Sequence, residues 1–272
     1  MLQGTRFTAV QILLNGARNW LSDRSRIFVR AIQFRMERLV LVWLLVFGLA
    51  VALRVGAPPA PSRKAIDLVQ IVLFYGLIAL APIGGYRMAM AAFPTDLLPD
   101  RPCVSLVPFG RWRRLDPLSA RAHPAFGPFG FMASLLVSLL LNIPIRSFEF
   151  LLAVPPLNHD APLWAVTLFQ LMAFDAIAMN FLYAGCFVMA IRSLPLFPRM
   201  LLLAWTWDLL LQVAIAYQVA ANPTLPAPVA RSLAELLCGN VKQVFLSMGI
   251  WIPYLLLSER VNVTYRSRIA AN

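Results

Sequence analysis

The sequence predicts an all-α, polytopic transmembrane bundle of six spans, with an amphipathic cytoplasmic or interfacial helix ahead of them. Three observations carry that prediction. Of 272 residues, 60% are hydrophobic and only 13% charged, where a soluble domain averages about 45–50% and about 25%. The apolar residues are gathered into long runs, with a mean hydropathy of +0.72. About 20 helical residues, at about 1.5 Å rise each, cross a hydrocarbon core of roughly 30 Å. Finally, 22 of the 24 basic residues are arginine, and they stand beside the apolar runs rather than in one patch.

Residues 1–38 form a basic N-terminal region. It shows no signal-peptide pattern, so the mature chain is expected to begin near Met1. Within it, Phe7, Val10, Leu14, Ala17 and Leu21 recur at helical spacing, with Gln11, Asn15, Arg18 and Asn19 elsewhere around the wheel. That is the pattern of a helix lying in the membrane interface, or docked on the protein's own cytoplasmic face. Ser22-Asp23 is a cap for a second helix, which carries Arg24, Arg26, Arg30, Arg35 and Arg38 up to the first span.

Residues 39–93 hold spans one and two. Span one is Leu39 to Leu53, extended to about Ala57 by snorkelling of Arg54 and ended by Pro58, Pro59 and Pro61. Span two runs from about Ala65 to Tyr86. Pro82 and Gly84-Gly85 predict a kink or a close helix approach near its end. Residues 94–126 are then a 33-residue Arg/Pro-rich loop without periodicity, longer than an ordinary connection. It either packs over the cytoplasmic face or meets a partner. Arg111, Arg113 and Arg114 here, with Arg24, Arg26 and Arg30, are the candidate contacts for a partner or for anionic lipid.

Residues 127–258 form a four-span membrane domain. Span three starts near Phe129 and is apolar to Ile145, followed by Arg146, Glu149 and Pro155-Pro156. Spans four and five, Leu163 to Ile191 and Met200 to Ala221, make a tight hairpin about the segment Arg192 to Arg199, which holds two prolines. After the breaker Asn222 to Pro228, a short surface helix is expected over Val229 to Cys238 and span six over Val241 to Leu257. Pro253 should bend span six. Residues 259–272 read as a basic cytoplasmic tail. Trp205, Trp207, Trp251 and Tyr254 lie near expected boundaries, as an aromatic belt does.

With six spans, 18 of the 24 basic residues fall on the side of the termini, five on the other, and Arg146 within a span. The positive-inside rule therefore makes both termini cytoplasmic. No Lys/Arg stretch has the aromatic interleaving of a nucleic-acid module, so the bilayer and its anionic lipids account for the charge.

The residues Gly249-Ile-Trp-Ile-Pro-Tyr254, Ser258-Glu-Arg-Val261 and Thr264-Tyr265 resemble the closing motif of the YdgK-like group of small bacterial inner-membrane proteins. The turn Phe197-Pro198-Arg199 is similar as well. The resemblance covers about residues 130–268. It implies a four-span helical domain in the bacterial inner membrane and brings no chemistry; the upstream spans have no counterpart in it.

Asp175 and Asp208 sit inside spans four and five at similar depth. A carboxylate there costs about 2.5–3.5 kcal/mol on insertion scales and usually faces the bundle interior. They form either a proton- or cation-responsive pair, with Gln170, Asn180 and Gln212 as neutral neighbours, or protonated packing contacts between helices. Arg146 and Glu149, three residues apart, share a helix face. The simpler expectation is that Arg146 snorkels to the outer headgroups with Glu149 as its ion pair; the other is that it crosses to Asp175. His123 and His159 are the only histidines and both fall in loops, so neither haem nor zinc is expected. The three cysteines, Cys103, Cys186 and Cys238, show no paired spacing and read as inert thiols. Phosphate loops and hydrolase or metalloprotease motifs are missing from the sequence.

The expected function is thus a non-catalytic, cofactor-free accessory or scaffold subunit that docks a membrane partner. The alternative is a small proton- or cation-coupled transporter or channel using Asp175 and Asp208. An enzyme acting on lipid or isoprenoid head groups is a third reading, with no supporting motif.

Overall fold

The computed structural model describes residues 23–56, 65–93, 112–155, 161–222 and 224–271. The expected helix over Phe7 to Leu21, the cap residue Ser22, and Arg111, Cys103 and His159 lie outside them. Residues 23–34 are helical (α1) and lead through a turn at Arg35 into α2 (Met36–Gly56). Then follow α3 (Ala65–Ala92), strand β1 (Trp112–Arg114) and the short α4 (Pro117–Ala122). The chain continues with α5 (Phe131–Ala153), α6 (Leu163–Ile191), α7 (Phe197–Ala220), α8 (Ala227–Leu257), α9 (Glu259–Arg266) and β2 (Arg268–Ala270). Five helices, α2, α3, α5, α6 and α7, are each long and apolar enough to cross a membrane; α8 and α9, bent by 71°, make a sixth candidate together. The all-α polytopic architecture expected from the sequence is the one observed.

Helix α6 is the hub. In its apolar stretch 61% of the residues are buried, against 6% for α2 at the periphery. It packs against α3, α5 and α7, and α7 packs against α8. The contact with α3 is close because a side chain at Gly85 would overlap the Phe181 carbonyl; glycine lets the two backbones meet, as small residues do between membrane helices. Helix α3 does not end near Tyr86. It continues to Ala92 with Pro82 inside, because its last turns are tied down. Arg87 pairs with Glu37 of α2 at 2.6 Å, and Arg192 donates to the Met90 carbonyl at 2.8 Å.

The α6–α7 hairpin falls where the sequence puts it. Leu194 N donates to the Met189 carbonyl at 3.0 Å, across Ser193 in the left-handed region at φ 54°, and Pro198 opens α7. This is the helix stop that usually employs glycine.

Helix α8 departs from expectation. The surface helix 229–238 and span six are one continuous element. Gly239-Asn240 does not break it because one apolar stripe, Leu233, Leu237, Val244, Trp251 and Leu255, stays buried on both sides. Trp205 and Trp251 accordingly belong to the core rather than to an interfacial belt, while Trp207 is 41% exposed.

The residues read as a tail are packed structure. Helix α9 buries Val261 through Tyr265 without a gap. Tyr265 donates its hydroxyl to the Ala190 carbonyl at the end of α6 (2.9 Å), and Thr264 Oγ1 accepts from Gly127 N (2.9 Å). Asn262 donates to the Leu256 and Ser258 carbonyls at 3.0 and 2.9 Å, and its Oδ1 accepts from Arg266 and Arg268. Strand β2 then pairs antiparallel with β1, Arg113 opposite Ile269, and Arg268 lies 5.0 Å over the Trp112 ring. Of the loop expected over 94–126, the described residues from Trp112 onward are therefore ordered, as β1 and α4. Nearby, Gly130 N at the start of α5 donates to Ser25 of α1 at 2.7 Å. The ribbon, α1, α4 and α9 gather at this ribbon end; the last turns of α5 and α7 and the first turns of α6 and α8 lie at the opposite end, the loop end.

Candidate functional site

Three spans meet at one guanidinium. Arg146 stands 15 residues into α5 with its side chain only 11% exposed. Its Nη1 donates to Asp175 Oδ2 of α6 at 2.6 Å, and its Nη2 donates to both oxygens of Asp208 of α7, at 2.8 and 2.7 Å. The expectation of a snorkelling Arg146 with Glu149 as partner is therefore overturned, and the crossing to Asp175 is what occurs. The reason is electrostatic: a guanidinium turned to the headgroups would leave two carboxylates buried without a counter-ion, the costliest arrangement at this depth.

The two aspartates are held differently. Asp208 is fully buried and also accepts from the Tyr183 hydroxyl at 3.0 Å and from Gln212 Nε2 at 3.4 Å. Gln212 follows Asp208 by one helical turn, which places both on one face of α7. Tyr183 lies two turns beyond Asp175 on α6, and its long side chain leans back toward the N-terminus of the helix, where the carboxylates are. Asp175 makes a single contact through Oδ2. Its Oδ1 is buried with no hydrogen-bond partner among the described residues, as are Gln212 Oε1 and Asn180 Oδ1.

Asn180 stands one step away. It donates to Ser147 Oγ at 2.8 Å, and that hydroxyl donates to the Ile143 carbonyl at 2.8 Å, tying α5 to α6 beside the charges. Gln170 is exposed and takes no part. Glu149 is exposed too, on the rim of a cleft described next. Tyr183 and Ser147 escaped the sequence reading. The eight-residue spacing from Asp175 to Tyr183 was the available signal for the first; nothing marked Ser147 among many apolar-span serines.

At the ribbon end α5 and α8 touch through the rings of Phe131, Trp251 and Tyr254, with centroids 4.9 and 5.0 Å apart from that of Phe131. Farther along they part, and a polar cleft opens between them. Asn142 and Glu149 line it from α5, Asn240, Gln243 and Ser247 from α8, with Arg146, Tyr183 and Asp208 beneath. Its volume of about 20 Å³ is room for one water. A larger groove of about 530 Å³ between α3, α6 and α7 is lined by side chains such as Leu77, Phe174, Leu203 and Trp207, and offers no hydrogen-bonding or charged group beyond an indole edge.

The basic candidates divide. Arg24 and Arg30 are exposed on α1, Arg113 and Arg114 are exposed on β1, and Arg26 is partly buried with its guanidinium 5.3 Å over the Phe129 ring. All lie at the ribbon end, far along the helices from the Arg146 centre. Cys186 is buried and Cys238 exposed. Among the described residues no three His, Cys, Asp or Glu side chains converge as a metal set. Comparison of the chain with family models, with curated proteins and with solved structures finds no match.

Proposed function

We propose that this chain is a small proton-coupled transporter or channel of the bacterial inner membrane, with the Arg146–Asp175–Asp208 centre as its proton site. The observation that carries the reading is the imbalance of the centre: one guanidinium faces two carboxylates across three spans. With both aspartates ionised it holds one surplus negative charge at a depth where charge is expensive, and a proton or monovalent cation is what cancels it. Asp208, saturated by three donor side chains, is the fixed counter-ion of Arg146. Asp175, with a bare Oδ1, is the carrier. The water-sized cleft suits a proton better than an organic solute.

Infrared difference spectroscopy of the purified protein after a pH step tests this without knowledge of any co-substrate. A protonated-carboxyl band that appears on acidification and is abolished by Asp175→Asn is the expected result. A spectrum with no such band, or one that Asp175→Asn leaves intact, removes the reading.

A second reading, the accessory subunit docking a partner, is favoured by α2. That helix leaves Leu41, Leu45, Leu49 and Leu53 exposed along its length and is scarcely buried by its own bundle. Mild detergent extraction should then recover a stoichiometric membrane partner, which a variant with Leu45 and Leu49 both changed to alanine loses. Membership of the YdgK-like group, anionic-lipid contact through Arg24, Arg30, Arg113 and Arg114, and cytoplasmic termini belong to the same proposal and rest on the sequence patterns given above.

A further inference from the structure

We infer that the cleft between α5 and α8 is the aqueous route by which protons reach the centre, and that Glu149 at its rim is the relay carboxylate. The inference rests on the proton-site reading above. Four observations carry it.

The cleft is the one polar opening among the described cavities that touches the centre, with Arg146 and Asp208 beneath it. Beside Ile145, Trp205 and Val244, its walls are carboxamides, a hydroxyl and a carboxylate, at a depth where α5 and α8 otherwise show apolar side chains to their surroundings, such as Leu141, Phe245 and Leu246. Polar side chains at membrane depth line cavities or pair with one another, because lipid satisfies none of their hydrogen bonds. Toward the ribbon α5 and α8 are held together by the ring contacts of Phe131, Trp251 and Tyr254, so the direction left for water is from the loop end.

Glu149 is also well placed by charge. The titratable and charged groups around it are Arg146 on its own helix, Asp175 and Tyr183 on α6, and Asp208 on α7; α8 supplies Asn240, Gln243 and Ser247, none of which titrates. Arg146 is already committed to the two aspartates, which leaves Glu149 to exchange protons with water. In the transfer, a proton on the Glu149 carboxyl passes to a cleft water, and that water gives a proton to the centre, whose Asp208 lines the cleft. Glu149 returns to carboxylate, the centre gains one proton, which Asp175 carries, and becomes neutral overall, and the guanidinium stays paired with ionised Asp208.

The test uses the full-length protein with Cys103 and Cys238 changed to serine, reconstituted in liposomes. Gln243→Cys and, separately, Asn240→Cys are exposed to a charged, membrane-impermeant thiol reagent, with Leu246→Cys as the lipid-facing control. Labelling of either cleft position, at least tenfold faster than Leu246→Cys, is expected. Equal, slow labelling of all three overturns the aqueous route. In the second arm, Glu149→Gln should slow the appearance of the Asp175-dependent carboxyl band at least tenfold after a pH jump while its final amplitude is kept. An unchanged rate overturns the relay. Absence of the band in the parent protein strikes the proton-site reading instead, and the labelling arm still decides whether the cleft is wet.

Discussion

Asp208 and Asp175 share one guanidinium, and the difference in their surroundings predicts different consequences of losing each charge. Removing one partner of a buried ion pair costs about 3–5 kcal/mol. Asp208→Asn, which strips the carboxylate that Arg146, Tyr183 and Gln212 all address, should lower stability by about that amount in a denaturation series in detergent. Asp175→Asn gives up one contact and should cost about 1–3 kcal/mol. Tyr183→Phe, deleting one hydrogen bond to a charged acceptor, should cost about 1.5–3 kcal/mol. An Asp175→Asn variant as unstable as Asp208→Asn contradicts the unequal roles. Much of this site is legible in the sequence, since a carboxylate inside an apolar run has few explanations. What is not legible is which charges meet. Arg146 is 29 residues from Asp175 and 62 from Asp208, and the relative rotation and depth of three spans leave no one-dimensional pattern. A helix count alone places Arg146 near the headgroups; only its partners on two other helices turn it inward.

At the scale of elements, close packing and helix stops set the sensitive positions. Gly85→Val would drive a branched side chain into the Phe181 carbonyl and part α3 from the hub. A loss of at least the 1–3 kcal/mol typical of overpacking is expected, read as a lower melting temperature. Ser193→Gly acts in the opposite sense. It relieves a left-handed residue of a strain of about 1–2 kcal/mol, and the same melting experiment should show a gain. Helices α6 and α7 were legible to within a few residues because proline and arginine bracket their turn. Helix α8 was not, because Glu235 and Lys242 on its outer side and Asn240 and Gln243 toward the cleft conceal a continuous buried stripe from any average over composition. The α9 segment misled for a related reason: it is polar by content, yet Asn262 and Thr264 are buried with their hydrogen bonds made inside the fold.

For the whole molecule, the consistent feature is polarity of layout. The starts of α2, α5 and α7 and the ends of α3, α6 and α8 lie at the ribbon end, as ion pairs, hydrogen bonds and ring contacts there record. In the proposed orientation, which rests on the arginine count, that end is the cytoplasmic one. A reporter joined after Asn272 should be active inside the cell, and one inserted at residues 156–160 only outside; the reverse pair of results removes the orientation and with it the direction from which the cleft fills. Five candidate spans, and a sixth in the bent α8–α9 pair, were predictable from apolar runs, since these are properties of composition. The ribbon and its strand pairing were beyond that reach, because three-residue strands carry no period.

Helix α9 comes after α2 to α8 in the order of synthesis, yet its side chains close the junction between the approach to α5 and the last turn of α6. The junction can therefore close only once α9 has been made, and until then the neighbouring ends of α5 and α6 lack these contacts. A message stopped short of codon 259 should yield a chain that inserts fully and is nonetheless cleared by membrane proteases, a fate that pulse-chase labelling would reveal.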